Sequence, residues 1–134
     1  MSTRFTYQAG SEFAPNDPFG QETLSFTAAG DFRYTRRKQG QVWQRQGQAD
    51  PAVLASIEAG LSEAGFPVVP PHSIPPGASL ITLSRADERA SMDYYKGRKF
   101  TGYGVIVTRC DAWLRWLRKP SNPAAPPEGL RVEG

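Results

Sequence analysis

At 134 residues, with 39 % hydrophobic and 22 % charged, the chain has the size and balance of one globular domain around a single core. One cysteine and one histidine exclude an internal disulfide and leave too few ligands for a zinc site, so no metal and no other cofactor is expected. A net charge of +3 and a pI near 9.2 suit an acidic protein partner or nucleic acid, and no apolar run approaches the roughly 18 residues that cross a bilayer.

The opening MSTRFTYQ lacks a basic stretch followed by an apolar run, which points to a cytoplasmic chain. Arg4 to Gln8 alternates, with Phe5 and Tyr7 on one side, and predicts a short first strand; Gly10 to Gly20, with two prolines, reads as a loop. In ETLSFTA, Leu24, Phe26 and Ala28 share one face and Thr23, Ser25 and Thr27 the other, as in a half-buried strand. After the turn at Ala29-Gly30-Asp31, Phe32 and Tyr34 alternate with Arg33, Thr35 and Arg37. Gln39-Gly40 turns again into a third strand over Gln41 to Gln46.

ADPAVLASIEAGLSEAGFP carries the signals of a complete helix. Asp50 supplies an N-cap carboxylate, Pro51 fits the first helical position, and Gly65 suits a left-handed close with Phe66 packing back on Leu61. Val53, Leu54, Ile57, Leu61 and Ala64 form the buried stripe, and Gly60 is expected to mark close approach to the sheet. Five prolines make residues 67–77 an extended connector. Strands are expected over Ser79 to Ser84 and Ala90 to Lys96, with polar turns at Arg85 to Arg89 and Lys96 to Arg98.

Tyr103 to Val107 suits a strand by its β-branched content, whereas Ile106, Cys110, Trp113, Leu114 and Leu117 fall at helical spacing. Helix from about Gly104 to Arg118 is the reading adopted. Residues 1–119 then form one domain, and the Pro-rich tail of residues 120–134 is expected to be disordered.

The chemistry-bearing residues are sparse. Cys110 lies on the apolar stripe of the last helix and reads as a buried thiol rather than a nucleophile. Asp87, Glu88 and Asp93 flank a turn, where solvated acids accumulate. Gly97, Gly102 and Gly104 in KGRKFTGYG match neither the P-loop nor the dinucleotide fingerprint, and read as a turn entering a helix. The Arg33, Arg36, Arg37, Lys38 and Arg45 set is the best case for a nucleic-acid or anion-binding strand surface, although alternation places the aromatics on the opposite face.

LSFTAAGDFRYTRR as a strand pair, DPAVLASIEAGLSEAGFP as a helix, the strands around ITLSR and SMDYY, and CDAWLRWLR near the end give an order of elements that resembles small bacterial proteins of the emfourin type, inhibitors of thermolysin-like metalloproteases. The resemblance implies an inhibitor. The family's early Gly-Gly-Phe signature is echoed only loosely by the stretch from Gly10 to Pro15, and no family functional residue is carried over.

The expected architecture is α+β: an antiparallel sheet of about five or six strands with two helices packed on one face. Its core is expected to hold Leu24, Phe26, Phe32, Tyr34, Leu54, Ile57, Leu61, Phe66, Leu80, Leu83, Trp113, Leu114 and Leu117. The expected function is a non-catalytic protein-binding module of inhibitor or immunity type, monomeric or weakly dimeric, with nucleic-acid or anionic-ligand binding as the alternative. Its expected contact residues are Phe13, Phe19, Arg33, Arg37, Arg45 and His72.

Overall fold

Strict alternation of large apolar and small polar residues gives strands that can cover a core on one side and face water on the other. In the computed structural model, which describes residues 3–10, 19–75, 79–118 and 130–132, the strands are β1 (Thr3–Ala9), β2 (Gln21–Thr27), β3 (Asp31–Lys38), β4 (Gln41–Ala49), β5 (Leu80–Arg85), β6 (Glu88–Asp93) and β7 (Leu130–Val132). They form one antiparallel sheet in the order β6-β5-β1-β2-β3-β4-β7. The helices are α1 (Pro51–Ala64), α2 (Tyr94–Gly97) and α3 (Tyr103–Leu117).

Register explains the core. Tyr7 lies between Leu24 and Leu83, Leu24 is opposite Tyr34, Phe26 lies between Phe5 and Phe32, and Ile81 faces Met92, all on one face. Leu54, Ile57 and Leu61 of α1, with Ile106, Val107, Cys110, Trp113, Leu114 and Leu117 of α3, close over that face. Trp113 reaches the Phe26 ring at 5.3 Å between centroids. Burying each such large side chain contributes roughly 1.5 to 3 kcal/mol before entropy is counted.

The α1 signals act as their chemistry requires. The Asp50 carboxylate accepts from the Ala52 N–H at 2.9 Å, and Gly65, at φ 89°, closes the helix, its N–H and that of Phe66 donating to the Ser62 and Leu61 carbonyls. Gly60, however, approaches α3 and not the sheet: a Cβ there would sit 3.5 Å from Ile106 Cδ1.

The α+β class, the antiparallel sheet and the helix-covered face are as expected, but the sheet is wider, with seven strands among the described residues. The seventh comes from the segment expected to be disordered: Leu130–Val132 pairs with Gly47–Ala49. The last strand before the turn ends at Asp93, because that residue caps α2, its carboxylate accepting from the Lys96 N–H at 2.9 Å, so Tyr94 and Tyr95 are helical. Leu80 is exposed rather than core, because β5 carries its buried face at Ile81 and Leu83.

Candidate functional site

The Lys96 to Gly104 segment bends sharply to deliver the chain into α3, and its glycines are spaced by packing. Gly102, at φ 85°, lies against the end of α1, where a Cβ would come 2.7 Å from that of Ala64; one on Gly104 would lie 2.4 Å from the Arg98 carbonyl oxygen. These close approaches explain the Gly-rich run.

The same bend opens a groove of about 660 Å³ along α3, lined by Arg98, Phe100, Thr101, Val105, Thr108, Arg109, Ala112 and Trp113 among others. Thr101, Val105, Thr108 and Ala112 recur at helical spacing on a stripe that points away from the core, and Val105 is 73 % exposed. The Arg109 side chain makes no hydrogen bond or ion pair among the described residues; neither does that of Arg98, its guanidinium lying 5.4 Å from the Tyr94 ring. No carboxylate lines the groove. It is an apolar trough between two uncompensated positive charges.

The residues expected to make contacts do not form one surface. Phe13 lies outside the described residues. Phe19 is partly exposed, but the Arg118 guanidinium lies 3.8 Å over its ring. Arg33 and Arg37 sit on the solvent face of β3, opposite Gln46 and Val42 of β4. Arg45 pairs with Tyr34, so it belongs to the opposite, helix-covered side, where its Nη1 donates to the Leu117 carbonyl at 3.0 Å and the guanidinium lies 5.1 Å from the Trp116 ring. Grouping it with Arg33 and Arg37 fails because the β3–β4 register pairs odd positions of one strand with even positions of the other, so Arg45 shares its face with Tyr34 and not with Arg33. Arg36 is on the Arg45 side too, over Trp43 at 4.2 Å.

His72 is a fastener, not a free contact residue. Its Nε2 accepts from the Asp93 N–H at 3.2 Å, which leaves Nδ1 to donate to the Pro70 carbonyl at 2.8 Å, and Phe100 packs edge-on to the ring at 5.0 Å. With Tyr103 Oη donating to the Val68 carbonyl at 2.6 Å and Lys96 Nζ to that of Ser73, the connector is tied down at three points.

Potentially reactive groups are dispersed. Cys110 is fully buried, and burial pushes its thiol pKa well above the ordinary value. Asp87 is exposed, Glu88 pairs with Arg85, and Asp93 is committed to the α2 cap. Among the described residues no three His, Cys, Asp or Glu side chains are grouped to hold a metal ion, and no helix is long and apolar enough to cross a membrane.

The sequence reading missed one buried cluster. Arg118 closes both arms of its guanidinium on Glu22, Nε to Oε2 at 2.7 Å and Nη2 to Oε1 at 2.6 Å, while Tyr34 Oη donates to Oε2 at 2.7 Å. It also missed the α3 groove. Val105, Thr108 and Ala112 falling together off the apolar stripe of α3 was the available signal.

No protein-family model matches the chain, and the search of curated proteins returned no match.

Proposed function

We propose that this chain is a non-catalytic protein-binding module of inhibitor or immunity type that docks its partner along α3. The observation that carries the reading is the trough itself: Phe100, Val105 and Ala112 offer apolar area over the buried Trp113, and Arg98 and Arg109 flank it with charges that no described residue neutralises. Such a surface fits a partner segment that places an aliphatic or aromatic side chain between acidic residues. The apolar anchor supplies affinity, and the guanidiniums set orientation and encounter rate. The likeness of the element order to emfourin-type inhibitors supports the same reading.

A photo-crosslinking residue placed at Val105 tests this in cells of the source organism. One adduct is expected, with an acidic, apolar peptide at the crosslink. It should disappear in Arg98→Glu and Arg109→Glu and survive Arg33→Ala. The absence of any adduct, or a basic peptide in it, would sink the proposal. Inhibition of a thermolysin-like metalloprotease, measured against the same variants, tests the inhibitor reading separately.

A further inference from the structure

The face of the sheet that no described helix covers carries a second arrangement, independent of α3. Reading across the strands by register, Arg33, Ser25, Thr6, Ser84 and Arg89 form one row over β3, β2, β1, β5 and β6. The adjoining row is Thr35, Thr23, Gln8, Thr82 and Ser91. On β4 the rows continue into Gln46 and Gln44. Neighbouring strands lie about 4.8 Å apart, so hydroxyls and amides recur at that spacing between two arginines roughly 19 Å apart.

At the β6 end this grid is concave. A groove of about 370 Å³ is lined by Arg4, Thr6, Gln8, Thr82, Ser84, Ala86, Arg89 and Ser91. Its side chains supply the Arg89 guanidinium, four hydroxyls and one amide, with no carboxylate, while the Arg4 guanidinium is drawn to Glu58 of α1. Thr82 Oγ1 and Ser91 Oγ are 3.0 Å apart, and Thr6 Oγ1 and Ser25 Oγ 3.4 Å, so the hydroxyls are near enough to share one acceptor. Arg4 is partly engaged, its Nε on Glu58 Oε1, whereas Arg89 and Arg33 make no side-chain hydrogen bond or ion pair among the described residues.

We infer that this groove binds a phosphoryl oxyanion. A tetrahedral anion with several oxygens uses many donors at once; guanidinium forks, hydroxyls and amides are the side chains that contact phosphate. The alternation that makes the strands also sends Phe5, Tyr7, Phe26, Phe32, Tyr34 and Trp43 to the helix side, so no described aromatic is on this face to stack a base or sugar. Recognition is therefore of the phosphate and not of a sequence. The anion comes either from a small free phosphate or from the phosphodiester backbone of a nucleic acid.

Calorimetric titration with pyrophosphate and, separately, with a short single-stranded oligonucleotide tests the site at low salt. Binding of at least one probe is expected, weakened tenfold or more by Arg89→Ala and unchanged by Arg109→Ala. Arg89 is exposed and unpaired, so its removal leaves the fold in place, which circular dichroism checks. If the anion is free phosphate, pyrophosphate binds and Arg33→Ala has no effect. If it is the backbone, the oligonucleotide binds more tightly, Arg33→Ala weakens it further, and affinity falls steeply with salt. Binding of neither probe at millimolar concentration, or binding indifferent to Arg89→Ala, overturns the inference. Neither outcome bears on the α3 groove, which the Val105 crosslink reads alone.

Discussion

Arg118, one residue past α3, grips both carboxylate oxygens of Glu22 on β2 across 96 residues of sequence. Glu22 is almost wholly buried and Arg118 largely so, and the pair locks the C-terminal end of α3 to the sheet. Removing one partner strands a buried charge, which costs about 3 to 5 kcal/mol. Arg118→Leu is therefore expected to destabilise by about 3 kcal/mol in denaturant titration. Glu22→Gln in the Arg118→Leu background should recover much of the loss, because the amide oxygen still accepts from Tyr34. Strict additivity of the two changes would show that the pair does not couple.

The two fully buried phenols on the inner face of the sheet should respond oppositely to loss of their hydroxyls. Tyr34 Oη donates to Glu22, and Tyr34→Phe is expected to cost about 1.5 kcal/mol, in the range for a hydrogen bond to a charged group. Tyr7 Oη has no hydrogen-bond partner among the described residues, so Tyr7→Phe removes a desolvated hydroxyl without breaking a bond. Its stability should match or exceed that of the parent. A loss of more than about 1 kcal/mol in Tyr7→Phe would mean that the hydroxyl is satisfied.

Both phenols, together with the buried Cys110 thiol, are expected to limit the fold at alkaline pH. Burial, then the neighbouring Cys110 and Asp111, raises the Tyr7 pKa above its ordinary value; burial, then Glu22, raises that of Tyr34. A folded pKa above the unfolded one means that their contribution is complete below about pH 10 and is lost as pH climbs beyond it. Each group then removes about 1.4 kcal/mol of stability per pH unit, so the two together remove about 2.7. Part of the tyrosinate absorbance should thus appear only as the far-ultraviolet circular dichroism collapses. Complete ionisation of all five tyrosines with the dichroism intact would contradict the buried placement.

How far the sequence could be read depends on the range of the interactions that decide each element. Alternation around Leu24 and Phe26, or the Asp50, Pro51 and Gly65 signals of α1, is local, and those elements stand where they are expected. The Glu22 and Arg118 pair is legible only after the chain has brought β2 beside the end of α3. An even separation of twelve residues groups Arg45 with Arg33 by counting alone; only the register, Tyr34 opposite Arg45, shows that they are on opposite faces. The hydroxyl grid is likewise a property of five strands aligned side by side. The role of His72, expected as a contact residue, is not legible in the sequence because its acceptor role needs the Asp93 N–H, 21 residues away.

Gly60 and Gly104 separate helix propensity from packing. Glycine inside a helix costs about 1 kcal/mol relative to alanine. At Gly60 a methyl group would meet Ile106 Cδ1 at 3.5 Å, an ordinary contact, so Gly60→Ala should stabilise the protein by about 0.5 to 1 kcal/mol. At Gly104 the same group would be forced to 2.4 Å from a backbone oxygen, and Gly104→Ala should destabilise by about 2 kcal/mol or more despite the better helix former. Thermal unfolding of the two variants decides the matter, since propensity alone raises both melting temperatures. Opposite shifts establish that the chain enters α3 through a contact too close for any side chain, which is what holds Arg98 and Arg109 at the two sides of the groove.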